Sequence, residues 1–115
     1  MPSFNIKYED RVRLRHMLDA SLEIQQYITS STREDLDKDR KLVHSCVRLL
    51  EIIGEAASQV SDELRENIEE IPWFVIIGMR NRLVHAYFSI NLDVVWETST
   101  KDIPTLIEIL KRYLK

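Results

Sequence analysis

The spacing of apolar residues is the feature that most constrains the fold of this chain. From about residue 8 to residue 30, apolar side chains recur at three- and four-residue steps, and they are Val12, Leu14, Leu18, Leu22, Ile24 and Ile28. This spacing is typical of an amphipathic helix, whereas no segment alternates apolar and polar residues for long enough to predict a strand. The chain also contains only two glycines and three prolines, which leaves little material for hairpin turns. The sequence therefore predicts an all-α fold.

A length of 115 residues is that of one domain, so we assign residues 1–115 to a single helical bundle of five to six helices. The second helix is predicted over residues 33–59, capped by the hydroxyl groups of residues 30–32. Its first half is nearly all charged. Its apolar second half covers more than one face, which is typical of a central bundle helix or an oligomer surface. Gly54 in the middle of this helix predicts that another helix passes close to it.

The later elements follow from capping and helix-breaking residues. A short helix is predicted over residues 62–67. Pro72 is well placed in the first turn of the next helix, which we predict to run to about residue 88. Asn91 caps a fifth element, residues 98–101 interrupt it, and a last helix runs from residue 102 to about residue 114. Trp73 and Trp96 are predicted core residues.

Charge and cysteine content narrow the class of function. The net charge of −3 and the pI near 5.6 argue against a protein that coats nucleic acid irrespective of sequence, because such proteins carry a strongly basic face. An enzyme that touches a few phosphates needs only a local basic cluster. The single Cys46 and the absence of a signal-peptide pattern predict a reducing cytoplasm. No apolar run approaches the roughly 20 residues that span a bilayer. We therefore expect a cytoplasmic protein with no membrane partner.

Polar chemistry is concentrated in residues 79–88, directly after the uncharged stretch 71–78. The cluster comprises Arg80, Asn81, Arg82, His85 and Tyr87. A guanidinium forks onto phosphate oxygens, and an imidazole with a pKa of about 6.5 carries protons near neutral pH. This combination predicts the active centre of a metal-independent ribonuclease.

The predicted reaction is transesterification by the 2′-hydroxyl of RNA, which needs a base for its proton and cations for the charge that builds on phosphorus. His85 acts as base or acid, and Arg80 holds the non-bridging phosphate oxygens bidentately. Asn81 and Arg82 orient the strand or the imidazole. Tyr87 donates to phosphate or stacks on a base.

Helical geometry limits how Arg80 and His85 could meet. In an unbroken helix, Asn81 and Arg82 neighbour His85, whereas Arg80 lies roughly 140° round the helix from it. Arg80 and His85 reach one phosphate if they line two walls of a cleft, if the helix loosens near its end, or if a second copy completes the site across a two-fold axis. The alternative interpretation is that the histidine is buried in the bundle with its hydrogen bonds satisfied, and that the two arginines lie on a solvent-exposed face.

Residues 78–88 resemble the signature of the HEPN ribonucleases, in which an arginine is followed four to six residues later by a histidine. They are most similar to the HepT toxins, whose version is Arg-x4-His-x-Tyr, here Arg80, His85 and Tyr87. The resemblance extends to residues 51–56, 71–73 and 94–96, and so covers most of residues 45–104. Asn91 departs from the family, which often has aspartate after the motif. This departure is expected to affect capping more than catalysis.

The resemblance implies a helical bundle that forms a homodimer and places the motifs of both subunits in one cleft. It also implies a metal-independent endoribonuclease toxin of a toxin–antitoxin system. The implied partner is a minimal nucleotidyltransferase antitoxin (MntA-like), which in such systems AMPylates the motif tyrosine, here Tyr87.

Other candidate sites are weaker. The three histidines and one cysteine lack the spacing of zinc ligands, and no glycine-rich phosphate loop is present, so no metal or cofactor is expected. Glu51 and Glu55 have three interpretations: they are a catalytic pair of acids, they belong to a polar stripe of the helix, or they are partners for Arg80 across a cleft. Two rivals to the nuclease hypothesis stay open. One is a non-catalytic helical module that binds a nucleotidyltransferase and assists its substrate binding, and the other is a dimeric adaptor.

Overall fold

A computed structural model describes residues 5–83 and 89–115 of the chain. The described residues form helices joined by turns, which confirms the predicted all-α class. None of the helices in these two ranges is long and apolar enough to cross a membrane. The elements are α1 (Tyr8–Thr29), α2 (Asp35–Lys38), α3 (Arg40–Ser58), α4 (Asp62–Asn67), α5 (Trp73–Ile77), α6 (Met79–Leu83), α7 (Leu92–Glu97), a π-helical segment (Thr98–Asp102) and α8 (Ile103–Tyr113).

The core lies where α1, α3 and α8 meet. Helix α1 packs against both α3 and α8, and α3 also contacts α5 and α6. Of the two alternatives left open for the apolar second half of the predicted second helix, a central bundle helix is therefore confirmed for α3, and an oligomer surface stays a prediction. The largest fully buried side chains of the three core helices are Leu14, Met17, Ile24, Leu50 and Leu110.

A buried carboxylate ties the start of α1 to the start of α4. Asp10 is only 6% exposed. Its two oxygens accept hydrogen bonds from the backbone N–H of Ser61 at 2.9 Å and from the Ser61 hydroxyl at 2.6 Å. The Ser61 hydroxyl in turn accepts from the backbone N–H of Leu64, so Ser61 is the N-cap of α4. The predicted short helix over residues 62–67 is confirmed.

The predicted single helix over residues 33–59 is wrong, because the chain breaks at Asp39. This residue has extended backbone angles (φ −111°, ψ 95°), and its carboxylate accepts from the backbone N–H of Leu42 at 3.1 Å. It therefore caps α3 and separates it from α2. The caps predicted at residues 30–32 are also absent from the start of α2, where the Asp35 carboxylate instead accepts from the backbone N–H of Thr32.

The predicted helix from Pro72 to residue 88 is also divided. Pro72 precedes α5 as its N-cap residue, and the backbone N–H of Gly78 closes α5 by donating to the carbonyl of Phe74 at 3.0 Å. Helix α6 begins at the next residue. Residues 84–88 lie outside the described residues. With these two divisions, residues 5–83 and 89–115 contain more helical segments than the five to six predicted.

Close approach of another helix at Gly54 is confirmed. A Cβ atom on Gly54 would lie 2.8 Å from the backbone carbonyl oxygen of Ile76 in α5. Glycine is therefore required here by the distance between two backbones. The start of α5 is anchored by Trp73, whose indole N–H donates to the carbonyl of Ile68 at 2.9 Å. Trp73 is buried as predicted, and Trp96 packs on the edge of the core.

Asn91 caps α7 as predicted, with its side-chain oxygen accepting from the backbone N–H of Val94. Residues 98–101 do not interrupt the helix that follows. Glu97 and Ile103 both have helical backbone angles, and the residues between them form a π-helical turn that joins α7 to α8. The break that the sequence predicted is thus a local widening of a continuous helical path.

Candidate active site

Arg80 lies on the surface of α6 and forms an ion pair with Glu51 of α3. The Arg80 side chain is 62% exposed, whereas that of Glu51 is 22% exposed. The carboxylate thus lies against the body of the protein and the guanidinium extends from it toward solvent. Of the three roles predicted for Glu51, the role of partner for Arg80 is confirmed.

The buried residues of α6 explain why its polar side chains are exposed. Met79 and Leu83 are four residues apart and both are buried, Leu83 completely. Because residues four apart share one face of a helix, this pair fixes α6 to the core. Arg80, Asn81 and Arg82 lie between them and are all exposed. The anchoring pair therefore presents three consecutive polar side chains of the motif to solvent.

An open groove of about 620 Å³ adjoins Arg80. We call it the α1–α3 groove, and its charged or titratable lining residues are Arg13, His16, Arg48, Glu51, Glu55 and Arg80. Ile52 and Ile77 contribute apolar surface to the same groove. Helices α1, α3 and α6 therefore bring side chains that are distant in sequence to one surface.

Sequence reasoning did not identify Arg13, His16 and Arg48 as neighbours of Arg80. Arg13 lies four positions before the core residue Met17, on the same face of α1. It is nonetheless charged and only half-buried. The signal that could have identified Arg13 was therefore its position as a charged residue at the border of an apolar stripe. Nothing in the sequence indicated which face of α1 would adjoin α6.

His85 and Tyr87 fall in residues 84–88, outside the described residues, so their predicted roles stay predictions. The helices on either side of this segment are joined by a hydrogen bond. The backbone N–H of Asn91 donates to the carbonyl of Leu83 at 2.8 Å. The structure therefore fixes the end of α6 against the start of α7.

The charges of the α1–α3 groove favour an anion. Its three arginines and two glutamates sum to +1, counting histidine as neutral, in a chain whose net charge is −3. A guanidinium provides a planar fork of N–H donors that matches phosphate or carboxylate oxygens. Within residues 5–83 and 89–115, no three His, Cys, Asp or Glu side chains lie close enough together to hold a metal ion.

Comparison with known proteins gives a consistent family. The family model described as "Ribonuclease HepT-like" matches residues 17–113. A protein of Caldanaerobacter subterraneus subsp. tengcongensis named "Putative RNase" is 39% identical over 105 residues, which are 91% of this chain and 94% of that protein. The "Probable ribonuclease HepT" of Thermococcus cleftensis is 37% identical over 83 residues, covering 72% of this chain and 76% of that protein.

A third relative is larger. The "Gamma-glutamylcyclotransferase and putative RNase" of Methanocaldococcus jannaschii is 37% identical over 102 residues, which are 88% of this chain but only 46% of that protein. No solved structure is significantly similar to the chain. The family model and the two relatives of similar length agree, and the chain belongs to the HepT-like ribonuclease family.

Proposed function

We propose that this protein is a metal-independent endoribonuclease that cleaves RNA by 2′-hydroxyl transesterification. The observation that carries the proposal is the position of Arg80. Its guanidinium is exposed, held by Glu51 and adjacent to the open α1–α3 groove, in a chain of the HepT-like ribonuclease family. An arginine in this setting is accessible to a phosphodiester and already oriented by a neighbouring carboxylate.

In the proposed mechanism, Arg80 binds the two non-bridging oxygens of the scissile phosphate and stabilises the charge that develops on them. His85, five residues later in the sequence, removes the proton of the 2′-hydroxyl or protonates the leaving 5′-oxygen. The attack forms a bond from the 2′-oxygen to phosphorus and breaks the bond to the 5′-oxygen, so the products carry a 2′,3′-cyclic phosphate and a 5′-hydroxyl. Asn81 and Arg82 guide the strand as it enters and leaves.

The active form is proposed to be a homodimer whose two motifs share one cleft. Arg80 and His85 lie on different sides of an ideal helix, so a second copy offers a direct way to bring a guanidinium and an imidazole to the same phosphate. Helix α5, which directly precedes α6, supports this proposal because it exposes two consecutive apolar side chains. Phe74 is 93% exposed and Val75 is 46% exposed. Burial against a second copy would remove this apolar surface from water.

The nuclease is tested with purified protein and a single-stranded RNA in the presence of EDTA. Wild type is expected to cleave and to leave 2′,3′-cyclic phosphate ends. His85→Ala is expected to cleave slower by about 10²–10⁴-fold, the usual contribution of a general acid or base. The matched control is His44→Ala, which removes an exposed histidine of α3 that does not line the α1–α3 groove. No cleavage by either protein would instead favour a non-catalytic helical module, whereas equal cleavage by wild type and His85→Ala would remove His85 from the proposed mechanism.

We further propose that the enzyme acts in the cytoplasm as the toxin of a toxin–antitoxin pair. Its antitoxin is a minimal nucleotidyltransferase (MntA-like) that AMPylates Tyr87. Tyr87 stands two residues after His85, so an added AMP would place a bulky anion beside the scissile phosphate.

Expression in cells tests the toxin proposal. Wild type is expected to arrest growth, and co-expression of the nucleotidyltransferase is expected to restore it and to add AMP to Tyr87, as measured by mass spectrometry. Tyr87→Phe removes the acceptor hydroxyl and is expected to stay unmodified. If the nucleotidyltransferase restores growth equally for wild type and Tyr87→Phe and neither protein carries AMP, AMPylation is contradicted and inhibition by binding alone remains.

A further inference from the structure

Two arginines of the α1–α3 groove carry charge that the described part of the protein does not neutralise. Arg13 is half-buried and Arg48 is exposed, and neither forms an ion pair with any described residue. Three arginines elsewhere are paired: Arg33 with Asp93, Arg65 with Asp62, and Arg112 with Glu70. Arginines without an ion pair to a described residue also lie outside the groove, as Arg15 and Arg40 do. Arg13 and Arg48, however, line one groove together with Arg80, where a negatively charged ligand could reach all three.

Helical spacing places Arg48 one turn from the Arg80 site. Arg48 precedes Glu51 by three residues on α3, a rise of about 4.5 Å, so the two side chains lie on one face of the helix. Glu51 contacts Arg80. Arg13 projects into the same groove from α1. A strand with one phosphate at Arg80 would meet the guanidinium of Arg48 about one helical turn farther along the groove.

We propose that the α1–α3 groove binds the RNA strand next to the scissile phosphate, with Arg13 and Arg48 as ligands of backbone phosphates. This inference rests on the proposed ribonuclease function and extends it to residues outside the Arg-x4-His motif. Arg13 and His16 also precede residues 17–113, the part of the chain that the family model matches.

The groove suits RNA in its chemistry, and its position beside Arg80 favours RNA over an acidic peptide. Its arginines suit phosphate oxygens, whereas Glu55 is exposed and accepts hydrogen bonds only. RNA supplies acceptors for the arginines through its phosphates, and donors for Glu55 through its 2′-hydroxyl groups and exocyclic amines. Ile52 and Ile77 give the groove an apolar surface against which a ribose or base can pack. Continuity with Arg80 is decisive, because a strand bound there has to continue along an adjoining surface.

The test measures binding of a labelled single-stranded oligoribonucleotide by the His85→Ala protein, which leaves the RNA uncut. Arg13→Gln together with Arg48→Gln is expected to weaken binding by on the order of tenfold per arginine. The slope of log K against log salt concentration is expected to fall by about 0.7 per lost phosphate contact, hence by about 1.4 for the pair. Arg13→Lys with Arg48→Lys keeps both charges, so it is expected to retain most of the slope while losing part of the affinity.

The matched control is Arg15→Gln together with Arg40→Gln. These residues are exposed arginines of α1 and α3 that do not line the groove. They make the same change in net charge and are expected to leave the salt slope nearly unchanged. Thermal denaturation and light scattering of every variant check that fold and association state are preserved.

The outcomes separate this inference from the proposed function. If wild type cleaves RNA but the groove variants bind like the control variants, the groove assignment is wrong and the nuclease stands. If the groove variants change the association state and keep their RNA affinity, the groove is an interface between copies, which also overturns the assignment. If wild type binds RNA through these arginines without cleaving it, the groove stands and the nuclease fails. If wild type neither binds nor cleaves RNA, both fail.

Discussion

Arg80→Ala is expected to lower the rate of RNA cleavage by on the order of 10²–10³-fold without unfolding the protein, since one preorganised electrostatic contact to a transition state contributes about that much. Stability is expected to change little, because the lost ion pair with Glu51 is largely exposed on the arginine side and such pairs contribute about 0–1 kcal/mol. Arg80→Lys keeps the charge but loses the planar fork, so its rate is expected to lie between those of wild type and alanine. Single-turnover cleavage and circular dichroism measure the two effects.

The matched control for Arg80 is Arg65→Ala, which removes another surface ion pair, with Asp62 in α4, away from the groove. Its cleavage rate is expected to equal that of wild type. Cleavage by Arg80→Ala at the wild-type rate would remove the central residue of the proposed mechanism.

Mixing subunits extends the same experiment to the shared cleft. When Arg80→Ala and His85→Ala subunits are mixed in equal amounts, about half of the dimers are mixed and one of their two sites is intact, so about a quarter of wild-type activity should return. A mixture as inactive as its components would show that both residues act within one subunit.

Gly54→Ala is expected to destabilise the protein by a net amount of about 1–2 kcal/mol, because adding a methyl group to a filled core usually costs about 1–3 kcal/mol and the contact here, with backbone, belongs to the upper part of that range. The new Cβ would lie 2.8 Å from the carbonyl oxygen of Ile76, so α3 and α5 would have to separate. The helix propensity of alanine gives back about 1 kcal/mol, and the expected loss is what remains after that gain. Thermal denaturation measures the change, at roughly 4–8 °C per kcal/mol for a domain near this size.

Gly78→Ala is the matched control, because its Cβ would lie at a milder 3.2 Å from the carbonyl of Phe74. It is expected to cost less than Gly54→Ala. A Gly54→Ala protein that is as stable as wild type would mean that α5 lies farther from α3 than the structure places it.

The sequence predicted those helices whose ends carry a chemical signal. Ser61 and Asn91 have short polar side chains that cap the following helix, and both caps are present in the structure. Asp39 offered the same signal. It stands within a run of charged residues, however, and such a run lacks the regularly spaced apolar residues whose interruption would reveal a break. The π-helical turn at residues 98–102 has no distinct composition, so it was mistaken for an interruption.

The candidate site was predictable in part, for a similar reason. Arg80 and its contact with Glu51 followed from a local motif and from the helical face of α3. Arg13 and Arg48 did not follow, since their proximity to Arg80 depends on how α1, α3 and α6 pack together. Such a relation between distant segments is set by the core as a whole. The predicted positions of His85 and Tyr87 relative to Arg80 stay predictions.

The ion pair of Arg80 with Glu51 also determines which anions can compete for this guanidinium. A phosphate that binds Arg80 comes close to the Glu51 carboxylate, which has like charge and is only 22% exposed. A lone mononucleotide gains little from this contact, because the carboxylate already compensates the guanidinium charge and the two anions repel. A polymer compensates through further contacts along its length. On the proposed function, we therefore expect this pair to discriminate by length, so that free nucleotides inhibit weakly and RNA chains bind preferentially.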